Sequence, residues 1–247
     1  MLERVRTRFN DVEVRETRGL VSFEIAGAAH AEWHPHRRVT RQAWDALAAA
    51  ALLHPGGDSP AILMLGLGGG TGARILRTLL PKAAITAVEI DGGMIALGRR
   101  HMRLDELEVE IHEADAFQFL RETKRKFDVV IDDIYLSGVD DAVRPSAMDD
   151  RMISSLRRVL RPGGLAAINL ITGPGHRRVQ SAARAAMLRA FPQVLSIRPT
   201  DSLNETLAGA RHLLPPSVLR SAADRFPHLR DQADWRTLSV RRLTRGV

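Results

Sequence analysis

The sequence predicts an α/β fold: a mostly parallel sheet of seven strands with helices on both faces, preceded by a short β-hairpin. Three observations carry this expectation. Strand-like and helix-like patterns alternate from about residue 61 to residue 210. The first run, AILMLGL at 61–67, is continuously apolar, as in a strand covered on both faces. It ends in Gly66-Leu67-Gly68-Gly69-Gly70-Thr71-Gly72 and leads straight into a helical pattern.

The elements follow in order. VEVRE and VSFEI, separated by a turn signal near 17–19, read as the hairpin of 11–27. Residues 40–53, rich in Ala and Leu, read as a helix with Thr40 as N-cap, ended by His54-Pro55-Gly56-Gly57. Strand one is 61–67, and its helix ARILRTLL stops near Pro81. Strand two is ITAVEI (85–90), followed by the helix GGMIALGRRHMR; strand three is LEVEIHEAD (107–115), followed by AFQFLRETK. Strand four is FDVVIDD (127–133), and the helix MDDRMISSLRRVL after it stops at Arg161-Pro162-Gly163-Gly164. LAAINLI is strand five, HRRVQSAARAAMLRAF a helix, VLSIRP strand six and SLNETLAG strand seven. A helix, PPSVLRSAADRF, and a last segment around Trp235 complete the chain. The expected division is 1–38 for the N-terminal β-element and 39–247 for the main domain.

Composition bounds the rest. A chain of 247 residues buries roughly 70–75% of its unfolded surface and needs no staples. With 45% hydrophobic and 26% charged residues it is no collagen, coiled coil or disordered tail. No apolar run approaches the roughly 20 residues of a membrane span, and MLERVRTRFNDVEVRE has no apolar core of a signal peptide. The absence of Cys excludes disulfides, thiolate zinc sites and a Cys nucleophile. The cytoplasm is the expected location.

The net charge of +7 and a pI near 10.9 raise nucleic acid, anionic membranes and acidic ligands as partners. Only Lys82, Lys124 and Lys126 among the 36 basic residues are lysines, and arginine keeps its charge at any accessible pH. Aromatic residues make up 4%, so stacking platforms for single strands are scarce, and nucleic acid is not the expected partner.

In parallel sheets, ligands bind at the carboxyl ends of the strands, so the residues there matter most. Strand one ends in the glycine loop, whose backbone can approach a ligand with no Cβ in the way. Strand two ends in Glu89-Ile90-Asp91, and Glu89 is placed to accept hydrogen bonds from both hydroxyls of a ribose. A dinucleotide-dependent dehydrogenase fits equally well to this point. Strand three discriminates. There Asp115 is placed to accept from an adenine amine while the N–H of Ala116 donates to the ring. Strand four ends in Asp132-Asp133. Each acid alone reads as a loop residue or helix cap; the series at successive strand ends reads as a nucleoside site.

The order GLGGGTG, AVEID, HEADAFQFL and FDVVIDD resembles the class I S-adenosylmethionine-dependent fold, which is Rossmann-like, and within it the spermidine synthase (polyamine aminopropyltransferase) family. The hairpin before the loop is similar to that family's N-terminal β-element. The apolar Met64 fits too, since ordinary methyltransferases usually carry an acid there. The resemblance spans about 10–210. It implies that Gly66, Gly68 and Gly70 pass under the methionine part of the cofactor, that Glu89 holds the ribose, and that Asp115 and Ala116 hold the adenine. It places Asp133 at the first Asp of the family's catalytic Asp-x-x-Asp. Asp133 is therefore the candidate general base, and Tyr135, two residues on, is the candidate hydrogen-bonding partner.

The departures concern the acceptor. The family's second catalytic Asp falls at Leu136, its amine-recognising loop Asp falls at Gly69, and its Tyr-His pair falls at Arg41-Gln42. Loss of the loop Asp and gain of Arg41 tilt the expectation toward intact S-adenosylmethionine, with Arg41 at the cofactor tail; Asp132 is a second acceptor or tail residue. Decarboxylated S-adenosylmethionine is the alternative cofactor.

The expected function is therefore transfer of a group, methyl narrowly favoured, to a small acceptor that is an amine. Aminopropyl transfer is the alternative. Two others remain: a nucleic-acid methyltransferase, because Asp132-Asp133-Ile134-Tyr135 shares its ends with Asp-Pro-Pro-Tyr, and a non-catalytic nucleoside-binding homologue. His34-Pro35-His36 lacks carboxylate support and reads as loop rather than metal site, and no metal is expected. Gly173-Pro174-Gly175 reads as a pocket rim, and Ser137-Gly138 with Asp140-Asp141 as a gate. The family's hairpin commonly sits at a subunit interface, which implies a homodimer here. The positive excess falls on helix faces and the tail, as in Arg99-Arg100 and Arg177-Arg178, away from the acidic strand ends.

Overall fold

The computed structural model describes residues 1–137, 142–144 and 147–244. Most of the expected gate, Gly138 with Asp140-Asp141, lies outside the described residues.

The N-terminal element is larger than a hairpin. Strands β1 (Glu3–Arg6), β2 (Asp11–Thr17), β3 (Leu20–Ile25) and β4 (Ala28–Trp33) form one antiparallel sheet in chain order. The β2–β3 turn has positive φ at both Arg18 and Gly19, the geometry that matches strand twist. Val12, Val14, Val21, Phe23 and Ile25 alternate inward and are buried. The outer strands escape a sequence reading because ERVR interleaves charges and AAHAEW has almost no β-branched residues.

Helix α1 (Ala43–Leu52) is buried along almost its whole length and is capped at Gln42, not at Thr40. The shift has a cause. The buried Asp45 carboxylate accepts the N–H and hydroxyl of Thr40 at 3.1 Å and the N–H of Arg41 at 2.5 Å, which holds Arg41 at φ 65°.

The alternating region then runs β5 (Ala61–Leu65), α2 (Thr71–Leu79), β6 (Ala84–Glu89), α3 (Gly92–Met102), β7 (Glu110–Glu113), α4 (Ala116–Glu122) and β8 (Phe127–Asp132). A small ribbon of β9 (Leu136–Ser137) and β10 (Ala142–Val143) follows, then α5 (Asp150–Val159), β11 (Leu160–Ile171), α6 (Arg177–Ala190), β12 (Gln193–Arg198) and β13 (Asn204–Ala210). Helices α7 (Ser217–Ala222) and α8 (Leu229–Trp235) lead to β14 (Ser239–Leu243).

The main sheet has eight strands rather than seven, in the order β14-β12-β13-β11-β8-β5-β6-β7. The extra edge strand, β14, pairs antiparallel with β12; its sequence SVRRL carries too little apolar signal to announce it. Strand β7 is shorter than expected, because 104–107 form a 3-10 turn first. Strand β11 is longer: Arg161-Pro162-Gly163-Gly164 does not end an element but forms a bulge between Leu160↔Phe127 and Leu165↔Val129.

One apolar layer packs α1, α2 and the C-terminal helices on one face of the sheet, with Trp235 and Phe226 buried in it. The other packs α4, α5 and α6 on the opposite face around Leu65, Val130 and Met152. From β5 the chain winds outward through β6 to β7, then returns to place β8 on the other side of β5. That reversal opens a crevice at the carboxyl ends of β5 and β8.

Candidate functional site

The crevice is a cavity of about 580 Å³ between the strand ends and the N-terminal sheet. Gly66, Gly68, Glu89, Asp115, Ala116, Asp133 and Tyr135 all line it. Thus six of the strand-end positions picked from sequence converge with Ala116 on one space, drawn from four parallel strands.

The glycine loop is shaped by close approaches. Gly66 stands at φ +88°, and a Cβ there would lie 2.3 Å from the carbonyl oxygen of Asp133. Only glycine lets the ends of β5 and β8 come so near, and that contact sets where Asp133 stands. A Cβ on Gly68, at φ +56°, would meet the carbonyl of His30 at 3.1 Å, where the N-terminal sheet closes over the loop. Gly70 does not line the cavity. It caps α2 at φ 93°, and a Cβ there would strike Leu104 at 2.6 Å, so it serves packing and not a ligand. Gly69 also faces away: a Cβ would run into Ala31, Met102 and Phe23.

Glu89 holds this loop. Its Oε2 accepts the N–H of Leu67 at 3.0 Å and of Gly68 at 2.8 Å, and Oε1 accepts the N–H of Asp91. Asp115 caps α4 through Gln118 N–H at 2.8 Å while facing the cavity. Asp91, quoted in sequence with no role, is 1% exposed and ties the two sheets together. It accepts from the Thr7 hydroxyl at 2.6 Å, the Asn10 amide at 2.7 Å and Gly93 N–H at 3.0 Å.

At the end of β8 the two aspartates part. Asp132 is fully buried and receives the Arg144 guanidinium at 2.5 and 2.6 Å, so it is not an acceptor or tail residue. Asp133 faces the cavity, half-buried, with Oδ1 accepting from the Asn169 amide at 2.8 Å. Burial raises its pKa to about 6; the Asn169 bond opposes the shift and the Asp132 charge adds to it. Tyr135 is not its partner. The phenol donates to the carbonyl of Asn169 at 2.9 Å and accepts the N–H of Ile171 at 3.2 Å, and burial pushes its pKa up to about 12.

Arg41 is also displaced from its expected place. Its guanidinium pairs with Asp201 at 2.7 Å and lines a different cavity, whereas the next residue, Gln42, lines the strand-end cavity. Among the described lining residues of the strand-end cavity there is no Arg or Lys. The sequence reading passed over Asn169 inside LAAINLI as one polar residue in an apolar strand. Its signal was there: a buried strand rarely carries an amide without use for it.

The site fits a nucleoside-sulfonium cofactor. Gly66 and Gly68 bring bare backbone to the cavity wall, and the carboxylates of Glu89 and Asp115 line the same space. Residues 62–164 match the family model described as a methyltransferase domain. The architecture is that of the class I S-adenosylmethionine-dependent methyltransferase fold, and the chain is similar to methyltransferases and to polyamine aminopropyltransferases. An eEF1A lysine and N-terminal methyltransferase homolog of Drosophila melanogaster is 26% identical over 64% of this chain and 24% of that protein. A probable polyamine aminopropyl transferase of Bifidobacterium longum is 32% identical over 51% of this chain and 26% of that protein. The crystal structure of a probable spermidine synthase from Corynebacterium glutamicum superposes with a TM-score of 0.71 at 20% identity, covering 85% of this chain and 80% of that one. The chain spans about a quarter of the length of the two curated relatives.

Proposed function

We propose that the chain transfers a methyl group from S-adenosylmethionine to a primary amine, and that Asp133 binds the amine and receives its proton. The supporting observation is the placement of carboxylates. Glu89 and Asp115 lie at the nucleoside end, and Asp133 is the one carboxylate among the described lining residues at the acceptor end. Aminopropyl transfer brings two ammonium groups with no carboxylate of their own, one on the donor and one on the acceptor. In S-adenosylmethionine the donor's ammonium is balanced by the donor's own carboxylate, so only the acceptor's calls for an acid from the chain. Gly69 faces the packed N-terminal sheet, so no loop carboxylate is available for a second cation.

When bound, the donor supplies an electrophilic carbon on a positively charged sulfur, which leaves as a neutral thioether. The chain's own residues do the rest. Glu89 and Asp115 orient the nucleoside, and Asp133 attracts the cationic acceptor. A carboxyl at about 6 is a stronger base than an ordinary aspartate, though well below an alkylammonium at about 10.4. It therefore holds the ammonium and takes its proton before attack; the lone pair so freed forms the N–C bond as the donor's C–S bond breaks.

The second reading is aminopropyl transfer, which the likeness to the Bifidobacterium longum protein favours. Incubation with S-adenosylmethionine or its decarboxylated form, together with putrescine or a lysine-bearing peptide, separates the readings by product mass. A methylated amine supports the proposal. An aminopropylated product favours the second reading, and donor binding with no product of either kind rejects both.

A further inference from the structure

A second cavity of about 240 Å³ opens where the end of β4 meets the segment before α1 and the first turns of α2. Five guanidinium groups border it, those of Arg37, Arg38, Arg41, Arg74 and Arg230, with Glu32 as the carboxylate on its wall. Three of the five are matched by acids that do not line the cavity. Arg37 pairs with Asp231 and Asp234, Arg41 with Asp201, and Arg230 with Asp234 at 3.9 Å.

Arg38 and Arg74 make no ion pair among the described residues. Both are moored on backbone carbonyls: Arg38 on His34, Pro35 and Arg37, Arg74 on Met102 and Arg103. Such anchors fix the direction of a guanidinium without cancelling its charge. Burial, with the nearby Arg38 and Arg103, pushes the pKa of Arg74 down to about 10; Glu106 opposes the shift without reversing it. Burial also raises the pKa of Glu32, which weakens the one negative charge facing in. Leu20, Trp33 and Val39 supply an apolar side.

We propose that this cavity is a binding site for a small phosphate-bearing anion, either free phosphate or a phosphomonoester with a short stem. Arg38 and Arg74 supply the uncompensated charge, and Arg230 closes the mouth. Planar guanidinium forks match phosphate oxygens, and two held in advance lose little freedom on binding. The site is independent of which group the strand-end cavity transfers.

Calorimetric titration of the full chain with inorganic phosphate and with glycerol 3-phosphate, at constant ionic strength against chloride, tests it. One saturable site is expected, weakened about tenfold or more by Arg38→Gln. Arg230→Gln, at an exposed side chain that cannot disturb the fold, is expected to weaken it several-fold. Tighter binding of glycerol 3-phosphate marks a phosphomonoester site, and the reverse marks a free-phosphate site. Absence of saturable binding by either anion, or affinities unchanged in both variants, overturns the proposal.

Discussion

The side-chain amide of Asn169 donates to Oδ1 of Asp133 at 2.8 Å, and the Asn204 amide donates in turn to Oδ1 of Asn169 at 3.0 Å. An amide 4% exposed thereby fixes the orientation of the carboxylate that faces the acceptor end. Under the proposed function Asp133 acts as a base only when ionised, so activity should be lost as pH falls through about 6. The Asn169 bond stabilises the ionised form, and its removal should move the acid limb of kcat/KM upward by about one unit. A pH–rate profile of Asn169→Ala with an unmoved acid limb would separate Asn169 from the chemistry.

Glu89 is expected to matter before any donor arrives, because it collects two loop N–H groups. Glu89→Gln replaces a charged acceptor by a neutral one; bonds to charged groups contribute about 1.5–3 kcal/mol each. Donor affinity should fall more than tenfold in direct binding measurements, with some loss of thermal stability. A variant with normal affinity would show that the loop keeps its shape alone.

Asp132 and Arg144 form a buried pair, with side chains 0% and 7% exposed. Arg144→Met leaves a carboxylate buried without its partner, and breaking such a pair destabilises by about 3–5 kcal/mol. The double variant Asp132→Asn with Arg144→Met should recover much of that loss. Denaturant midpoints for the two variants decide whether Asp132 serves the fold in the way its burial indicates.

Gly69 offers a direct check on the acceptor reading. Gly69→Asp restores the acid the aminopropyltransferases carry, yet its Cβ would stand 2.7 Å from both Ala31 Cβ and Met102 Sδ. The expected outcome is a fall in melting temperature and no gain in turnover of the decarboxylated donor. A gain in that turnover would mean that the loop can rotate the new side chain into the cavity.

Asp45 carries a pH dependence of its own. Burial raises its pKa from 3.8 to about 7, so the native chain holds a proton that the unfolded chain has already released. Its effect on stability is therefore least adverse below about pH 4, and grows unfavourable as pH rises toward 7. Asp45→Asn loses part of the hydrogen bonding to Thr40 and Arg41, but also this titration. The advantage of the native residue over the variant should shrink between pH 5 and pH 8 in thermal melts.

Much of this was legible in the chain because β5, β6 and β8 are largely apolar runs that stop at or beside cavity residues. Glu89, Asp115 and Asp133 could be located by counting strand ends. What could not be read depends on partners distant in sequence. Asp132 and Asp133 look alike until Arg144, twelve positions on, claims the first. Arg41 looked like a cofactor-tail residue because nothing local reveals that Asp45 twists it into the left-handed region, next to Asp201. Gly70 belongs to the glycine motif by spacing, but Leu104 is the reason a side chain cannot stand there. The β4 and β14 strands pair through backbone bonds that their mixed side chains do not advertise.

The joint at Asp91 has a consequence for how such a chain diversifies. One wall of the strand-end cavity, with Ile25, Ala28 and Ala29, belongs to the N-terminal sheet, whereas Glu89, Asp115 and Asp133 stand at strand ends of the main sheet. Thr7 and Asn10 fasten the first to the second through a single carboxylate. Under the proposed function, the wall at 25–29 is thus a replaceable panel beside a constant frame. Libraries that vary 25–29 while sparing Thr7, Asn10 and Asp91 should re-aim the catalyst toward new amines without loosening its hold on the donor.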